Sequence, residues 1–412
     1  MLKFQDFKFE QLTVHQLVSK KYFNRYFEIK YICPLEELSY ITYKIIEYLV
    51  KAKFNHALTN PTLKFNAQNA EIEVGKIGNI LSLSFFYIET ERSNLLDLIR
   101  YAADTVKKSL NDIINYDTND LSQEIKKIIN ESWSKEDFIS YKLHAQFDCI
   151  DEIQKIADLE YINNIKNIIL SILDFSEIHL YYIGREQLNK EEIVNNLVKV
   201  FNSNNLADNY SKYLEERIVE NNDIKIERYS ANLQNTLVIG ILTNSNIAKP
   251  NFPVLLLYNA LLGQFPNSKL YQTVRVKQSL AYDIKSHVEY TTGLVVIESR
   301  TNIEYLEKIR DLSLGEIKRI KIGHFSNEEL GCLKKMLNTY ILFGLDSPKT
   351  LIKFHFYMYI FNQRYNNIEE LITAINNVSK QDIVDFSKDI RVYSTIYIYN
   401  QNELQKYMGV NL

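Results

Sequence analysis

Arg275 and Tyr282 stand seven positions apart in the stretch Ser268–Tyr282, SKLYQTVRVKQSLAY, between a proline-bearing loop and a run of strand formers. A guanidinium offers a rigid fork of donors, and a phenol offers one O–H. The pattern predicts a helix that begins near Ser268 and ends at Arg275, then a strand that begins at Tyr282. A short turn between the two can aim both side chains into one cleft.

The groups that would complete a reaction are missing from the rest of the chain. The histidines are His15, His56, His144, His179, His287, His324 and His355, and no two are closer than 31 residues. A zinc hydrolase would show two on one helical face, as H-E-x-x-H or H-x-x-E-H. His179 lies inside an apolar strand pattern and reads as a satisfied histidine, not a ligand. There is no G-x-S-x-G elbow, phosphate-binding glycine loop or dinucleotide fingerprint. Cys33 precedes Pro34 at a strand end and Cys332 sits in a helical stretch; both read as packing residues. Glu328 and Glu329 read as ordinary first-turn helix acids. The chain alone does not read as an enzyme.

The elements that must carry these groups occur twice. ILSLSFFYIE (80–89) alternates as a strand and is followed by the amphipathic NLLDLIRYAADTVKKSL, while GLVVIESRT (293–301) is followed by IEYLEKIRDLSLGEIKRI. A shift of 210 places Leu96 on Leu306, Ile99 on Ile309 and Arg100 on Arg310. A second helix with a serine start signal, Ser122 or Ser326, is expected after each. Each half closes as helix then strand, YINNIKNIILSILDFSEIHLYYIG and VSKQDIVDFSKDIRVYSTIYIYN. The repeat implies duplication.

The fold class that follows is α+β, with two homologous halves, each a mostly antiparallel sheet with helices on one face. Domains are expected over 1–201 and 223–412, with 202–222 as the linker. Expected strands are LTVHQLVS, RYFEIKYIC, the 63–74 region, 80–89 and EIHLYYIG, then IKIERYS, NTLVIGILT, LAYDIKSHV, GLVVIESR and STIYIYN. The stretch TLIKFHFYMYIFNQRYNN places Phe354, Tyr357, Phe361 and Tyr365 in one helical stripe, with Phe356, Tyr359 and Ile360 beside it. Such a helix is buried in a core or meets a partner.

Composition agrees with two well-filled domains. The chain has 412 residues, 46% hydrophobic and 24% charged. A net charge of −3 gives no electrostatic case for nucleic acid. Cys33, Cys149 and Cys332 are widely spaced, which fits reduced thiols in a cytoplasmic protein. No signal peptide and no membrane span are read.

The segment FPNSKLYQTVRVKQSLAYDIKSHVEYTTGLVVIESRTN resembles the C-terminal half of pitrilysin/insulinase-type (inverzincin) metallopeptidases. Their helix S-[KR]-L-[FY]-x-x-[VL]-R-E-K runs into G-L-A-Y. Here the motif's glutamate is Val276 and its glycine is Ser279. In the first half, which matches in outline, the H-x-x-E-H slot falls on Lys44, Glu47 and Tyr48, so both histidines are lost. Glu124 and Glu131 sit near the place of the family's third ligand and read as solvated helix acids. The resemblance is to the zinc-lacking, non-catalytic subunit of two-chain bacterial members. It implies the insulinase-like fold and no metal in this chain. It further implies a zinc-bearing partner with H-x-x-E-H and a peptide substrate. Arg275 and Tyr282 would then contact substrate carbonyls and the oxyanion in trans. A role in leader-peptide removal from a ribosomally made bacterial peptide is implied too. A scaffold on the same fold, with no proteolytic role, is the alternative.

Overall fold

The computed structural model of the protein describes residues 3–9, 12–60, 65–90, 94–131, 159–198, 200–201, 210–214, 224–230, 234–361, 365 and 367–408. The chain divides into two compact units, Met1–Glu215 and Glu216–Leu412. Most of the expected joining segment 202–222, and Cys149, lie outside the described residues.

The first unit holds strands β1 (Gln5–Lys8), β2 (Leu12–Val18), β3 (Arg25–Pro34), β4 (Ala70–Ile77), β5 (Ile80–Glu89) and β6 (Glu177–Gly184). They form one sheet in the order β1-β2-β6-β3-β5-β4, in which only β2 and β6 run parallel. One face carries Val14, Ile29, Tyr31, Leu83, Phe85 and Leu180 into a core shared with helices Tyr40–Leu58, Leu95–Ile114, Thr118–Glu131 and Leu159–Phe175. The apolar positions of Leu95–Ile114 explain its orientation: Leu95, Leu98, Ile99, Ala102, Ala103, Val106, Leu110 and Ile113 recur at three- and four-residue steps and are all buried. Each such aliphatic side chain contributes about 1.5–3 kcal/mol if fully buried.

The second unit repeats this plan. Its strands are β7 (Ile224–Ser230), β8 (Thr236–Leu242), β9 (Ala281–Val288), β10 (Val295–Thr301) and β11 (Arg391–Asn400), in the order β7-β11-β8-β10-β9. The first strand, β7, again pairs in parallel with the last, β11, and every other pairing is antiparallel. Placing β2 on β7, β6 on β11, β3 on β8, β5 on β10 and β4 on β9 matches order and sense throughout. The first unit adds β1 at its edge. The second unit's helices include Phe252–Asn259, Leu306–Lys321, Asn327–Gly344, Pro348–Phe361, Ile368–Asn377, Lys380–Lys388 and Gln401–Met408.

Several sequence expectations need correction. Ser326 does start its helix, through a reciprocal capping box with Glu329. Ser122 does not: its helix begins at Thr118, where the Asp117 carboxylate accepts from Asn119 N–H at 2.8 Å. The 63–74 strand begins only at Ala70, after a short turn over Ala67–Asn69. In Pro348–Phe361 the buried side chains include Ile352, Phe356 and Ile360, a four-residue step, whereas Phe354 and Tyr357 are half-buried and Tyr365 lies past the helix end. Cys33 is buried as expected, but Cys332 is exposed, so packing does not account for it. No helix among the described residues is long and apolar enough to cross a membrane.

Candidate functional site

The slot expected to be a degenerate zinc motif lies on helix Tyr40–Leu58, which Ser39 caps by accepting from Thr42 N–H. Ile41, Ile45, Ile46, Leu49 and Val50 anchor the helix in the core, leaving Lys44, Glu47 and Tyr48 on its other side. Lys44 Nζ donates to Glu47 Oε2 at 2.8 Å, and Lys51 Nζ donates to Oε1 at 2.7 Å. The Lys44 ammonium also lies 5.5 Å from the Tyr43 ring centroid. Both oxygens of the one carboxylate are thus engaged by ammonium groups. A charged lysine has no lone pair to offer, and tyrosine in place of imidazole removes the other nitrogen ligand. These residues do not fit a zinc ion. Glu124 is half-buried on Thr118–Glu131, and the Glu131 side chain lies outside the described residues.

Arg275 lies on a wide, π-type helical segment, Tyr271–Lys277. Buried Leu270 and Val274 pin that segment from beneath. Thr273 Oγ1 donates to buried Glu316 Oε1 at 2.8 Å, and Arg319 reaches the same oxygen at 2.7 Å. Lys269 pairs with Glu329 at 2.7 Å. These ties fix the segment while Arg275 itself stays exposed, its guanidinium 5.1 Å from the Tyr271 ring centroid. π-type turns of this kind are frequent at functional sites.

The chain then reverses through Ser279, which has φ +52°. That is the left-handed region favoured by glycine, and Ser279 occupies the glycine position of the motif. Leu280 N–H donates to Val274 C=O at 3.1 Å, and β9 starts at Ala281. Tyr282 is 65% exposed, and its hydroxyl donates to Asn302 Oδ1 at 2.8 Å. The geometry expected of a helix, a tight turn and a strand start is therefore present. Among the described residues no hydrogen bond joins Arg275 to Tyr282; each has its own neighbour.

Sequence reading missed two participants. Asn302 follows β10 directly and meets Tyr282 across the β9–β10 pairing, which nothing in the local sequence announces. In the first unit, His15 meets the expected satisfied histidine, His179. His15 Nδ1 stands 2.7 Å from Asp6 Oδ1, and its Nε2 stands 2.9 Å from His179 Nδ1. His179 Nε2 lies 3.3 Å from Glu177 Oε1, and the Tyr210 hydroxyl donates to Glu177 Oε2 at 2.6 Å. Cross-strand from His179 lies Lys30, buried and bonded to Glu28 and to Ser84. Burial and the Glu177 charge push the Tyr210 hydroxyl above the ordinary tyrosine range, which keeps it a donor.

The chain is similar to known proteins in sequence and in fold. Residues 178–337 match the family model described as the peptidase M16 inactive domain. The chain is 25% identical over 267 residues to a probable inactive metalloprotease, YmfF, of Bacillus subtilis (strain 168). That match covers 63% of this chain and 58% of the relative, so less than two thirds of the relative's length is spanned. In fold, the chain is similar to a peptidase M16 inactive domain from Pseudomonas fluorescens, with TM-score 0.67, 12% identity, and 96% and 98% of the two chains covered. It is also similar to a conserved protein from Enterococcus faecalis V583, with TM-score 0.69, 15% identity and the same coverage, 96% and 98%. With its zinc slot closed by lysines and its arginine–tyrosine motif kept, the chain is similar in fold to pitrilysin/insulinase-type (M16) proteins and matches their inactive-domain model over residues 178–337.

Proposed function

We propose that this chain is the substrate-binding subunit of a heterodimeric, zinc-dependent, insulinase-like peptidase in the bacterial cytoplasm. Arg275 and Tyr282 act in trans at a partner's zinc site, and the substrate is a peptide such as the leader segment of a ribosomally made precursor. The observation that carries this reading is a contrast between two motifs. Glu47 is held by Lys44 and Lys51, whereas Arg275 and Tyr282 are exposed on a firmly anchored helix–turn–strand. An exposed guanidinium can hold peptide carbonyls, and an exposed phenol can donate to an oxyanion. Zinc and its activated water would come from the partner's H-x-x-E-H helix.

The test is co-expression with a zinc-bearing M16 chain that carries H-x-x-E-H, followed by digestion of a peptide pool. Cleavage should require both chains and stop on chelation. A partner that cleaves equally well alone would reject the reading and favour a scaffold role.

A further inference from the structure

We propose that Asn302 is a positioning residue for Tyr282. It holds the phenol ready and, with its amide turned over, donates to the phenol oxygen while the phenol proton goes to a substrate carbonyl. This deepens, and rests on, the reading of Arg275 and Tyr282 just given.

Asn302 precedes the short helical turn Ile303–Tyr305, yet its side chain does not cap that turn. Three other asparagines at such positions spend their Oδ1 locally, while Asn94 and Asn251, like Asn302, cap nothing. Asn66 accepts from Gln68 N–H, Asn189 from Glu191 N–H, and Asn367 from Glu370 N–H. Asn302 instead spends its oxygen on the Tyr282 hydroxyl, 20 residues away. The residues before it grip the same start of β9. Ser299 Oγ donates to Asp283 C=O at 3.1 Å, Arg300 pairs with the Asp283 carboxylate at 3.0 Å, and Thr301 Oγ1 donates to Leu280 C=O. The β10 register slips between Arg300 and Thr301, a bulge of the kind that re-aims side chains beside active sites. Residues 299–302 therefore clamp 280–283 from end to end, and Asn302 is the one that reaches the exposed functional group.

The chemistry follows from the amide. Its oxygen accepts, its nitrogen donates, and a half-turn about one bond exchanges them in place. At rest the phenol O–H donates to Oδ1, which fixes the hydroxyl before substrate arrives. When a carbonyl becomes an oxyanion, the proton is shared with it, and Nδ2–H can donate to the phenol oxygen. Hydrogen bonds in such a chain strengthen one another. Removing the side chain leaves the turn intact, because Tyr305 N–H is held at 3.0 Å by the backbone carbonyl of Asn302.

The test uses the full-length chain in complex with its zinc-bearing partner, with a fluorogenic peptide pool as substrate. Asn302→Ala should lower kcat roughly tenfold and leave KM nearly unchanged, as expected for help given only in the transition state. Asn302→Asp keeps the acceptor but loses the donor, so it should be as slow as the alanine variant. In a Tyr282→Phe background, Asn302→Ala should cost nothing more. On the full-length chain alone, ¹³Cζ-tyrosine NMR should show the Tyr282 resonance moving in Asn302→Ala. Wild-type kcat in Asn302→Ala beside a slow Tyr282→Phe would overturn this inference alone. A neutral Tyr282→Phe would overturn the reading of the pair and this inference with it. Additive losses, or an unmoved Tyr282 resonance, would show Asn302 acting independently of the phenol and overturn it too.

Discussion

His15 Nε2 and His179 Nδ1 face each other at 2.9 Å although 164 residues separate them. With Asp6 accepting at Nδ1, His15 carries its proton there, so its Nε2 accepts from His179 Nδ1–H. Burial, then the charge of His179, hold the His15 imidazole well below the ordinary histidine range, against the opposing pull of Glu177. His15 is thus neutral when folded and takes a proton more readily when unfolded.

The sign of the pH effect follows. Below about pH 6.5 the unfolded chain binds the extra proton, so stability is lost as pH falls from there toward the depressed folded value. Above that pH the contribution is complete. Burial alone would raise the Glu177 carboxyl, but His179, the Tyr210 hydroxyl and Lys8 bring it below its usual value, so its loss has the same sign in a lower window. Thermal melts should be level from pH 7 to 8 and drop between about 6.5 and 5. His15→Gln should start about 1–3 kcal/mol less stable and decline less across that window. Parallel pH curves for the two proteins would reject the assignment.

Ser279 holds φ +52° without being a glycine. Left-handed backbone costs an L-residue roughly 1–2 kcal/mol, partly offset by the extra entropy that glycine loses on folding. Ser279→Gly should therefore raise the unfolding midpoint in urea, for a stabilisation of up to about 1 kcal/mol. A clear fall in midpoint would mean that the serine side chain contributes more than its backbone strain costs.

The isolated chain should retain no stoichiometric zinc after dialysis against a weak chelator, measured by plasma mass spectrometry. The reason is the pairing of Lys44 and Lys51 with the two oxygens of Glu47. Near-equimolar retained zinc would contradict this, and would point to donors other than Lys44, Glu47 and Tyr48.

In the reconstituted complex, Tyr282→Phe should lower turnover about 10²–10³-fold, the scale for removing one oxyanion donor. Arg275→Ala should raise KM as well, since the guanidinium also holds the ground state. Neither should separate the subunits in gel filtration. A complex that falls apart in either variant would place the pair in the subunit contact.

Much of the architecture was legible because it is periodic. β5, β6 and β7 begin and end where the alternation does, and the heptad-like spacing in Leu95–Ile114 marked its buried face. β1 was not legible, since four residues, QDFK, give alternation too little length to register. Ser122 misled because a serine inside a helix looks like a cap until Asp117 is seen to do the work. The closed zinc slot could be read from residue types alone, although the second lysine, Lys51, could not. The partners of Tyr282 and His15 were hidden for another reason. They are fixed by strand register across 20 and 164 residues, and no local pattern encodes register at such range.

In each unit the strand supplied last sits inside the sheet, not at its edge. β6 lies between β2 and β3, and β11 lies between β7 and β8. While a unit is being synthesised, its two early strands have a gap between them that only its final strand can fill. Neither sheet can be completed on the ribosome until nearly the whole unit has emerged, so contact order is high and closure comes late. Until then β2, β3, β7 and β8 present unsatisfied edges, which is where a holding chaperone would act on the nascent chain.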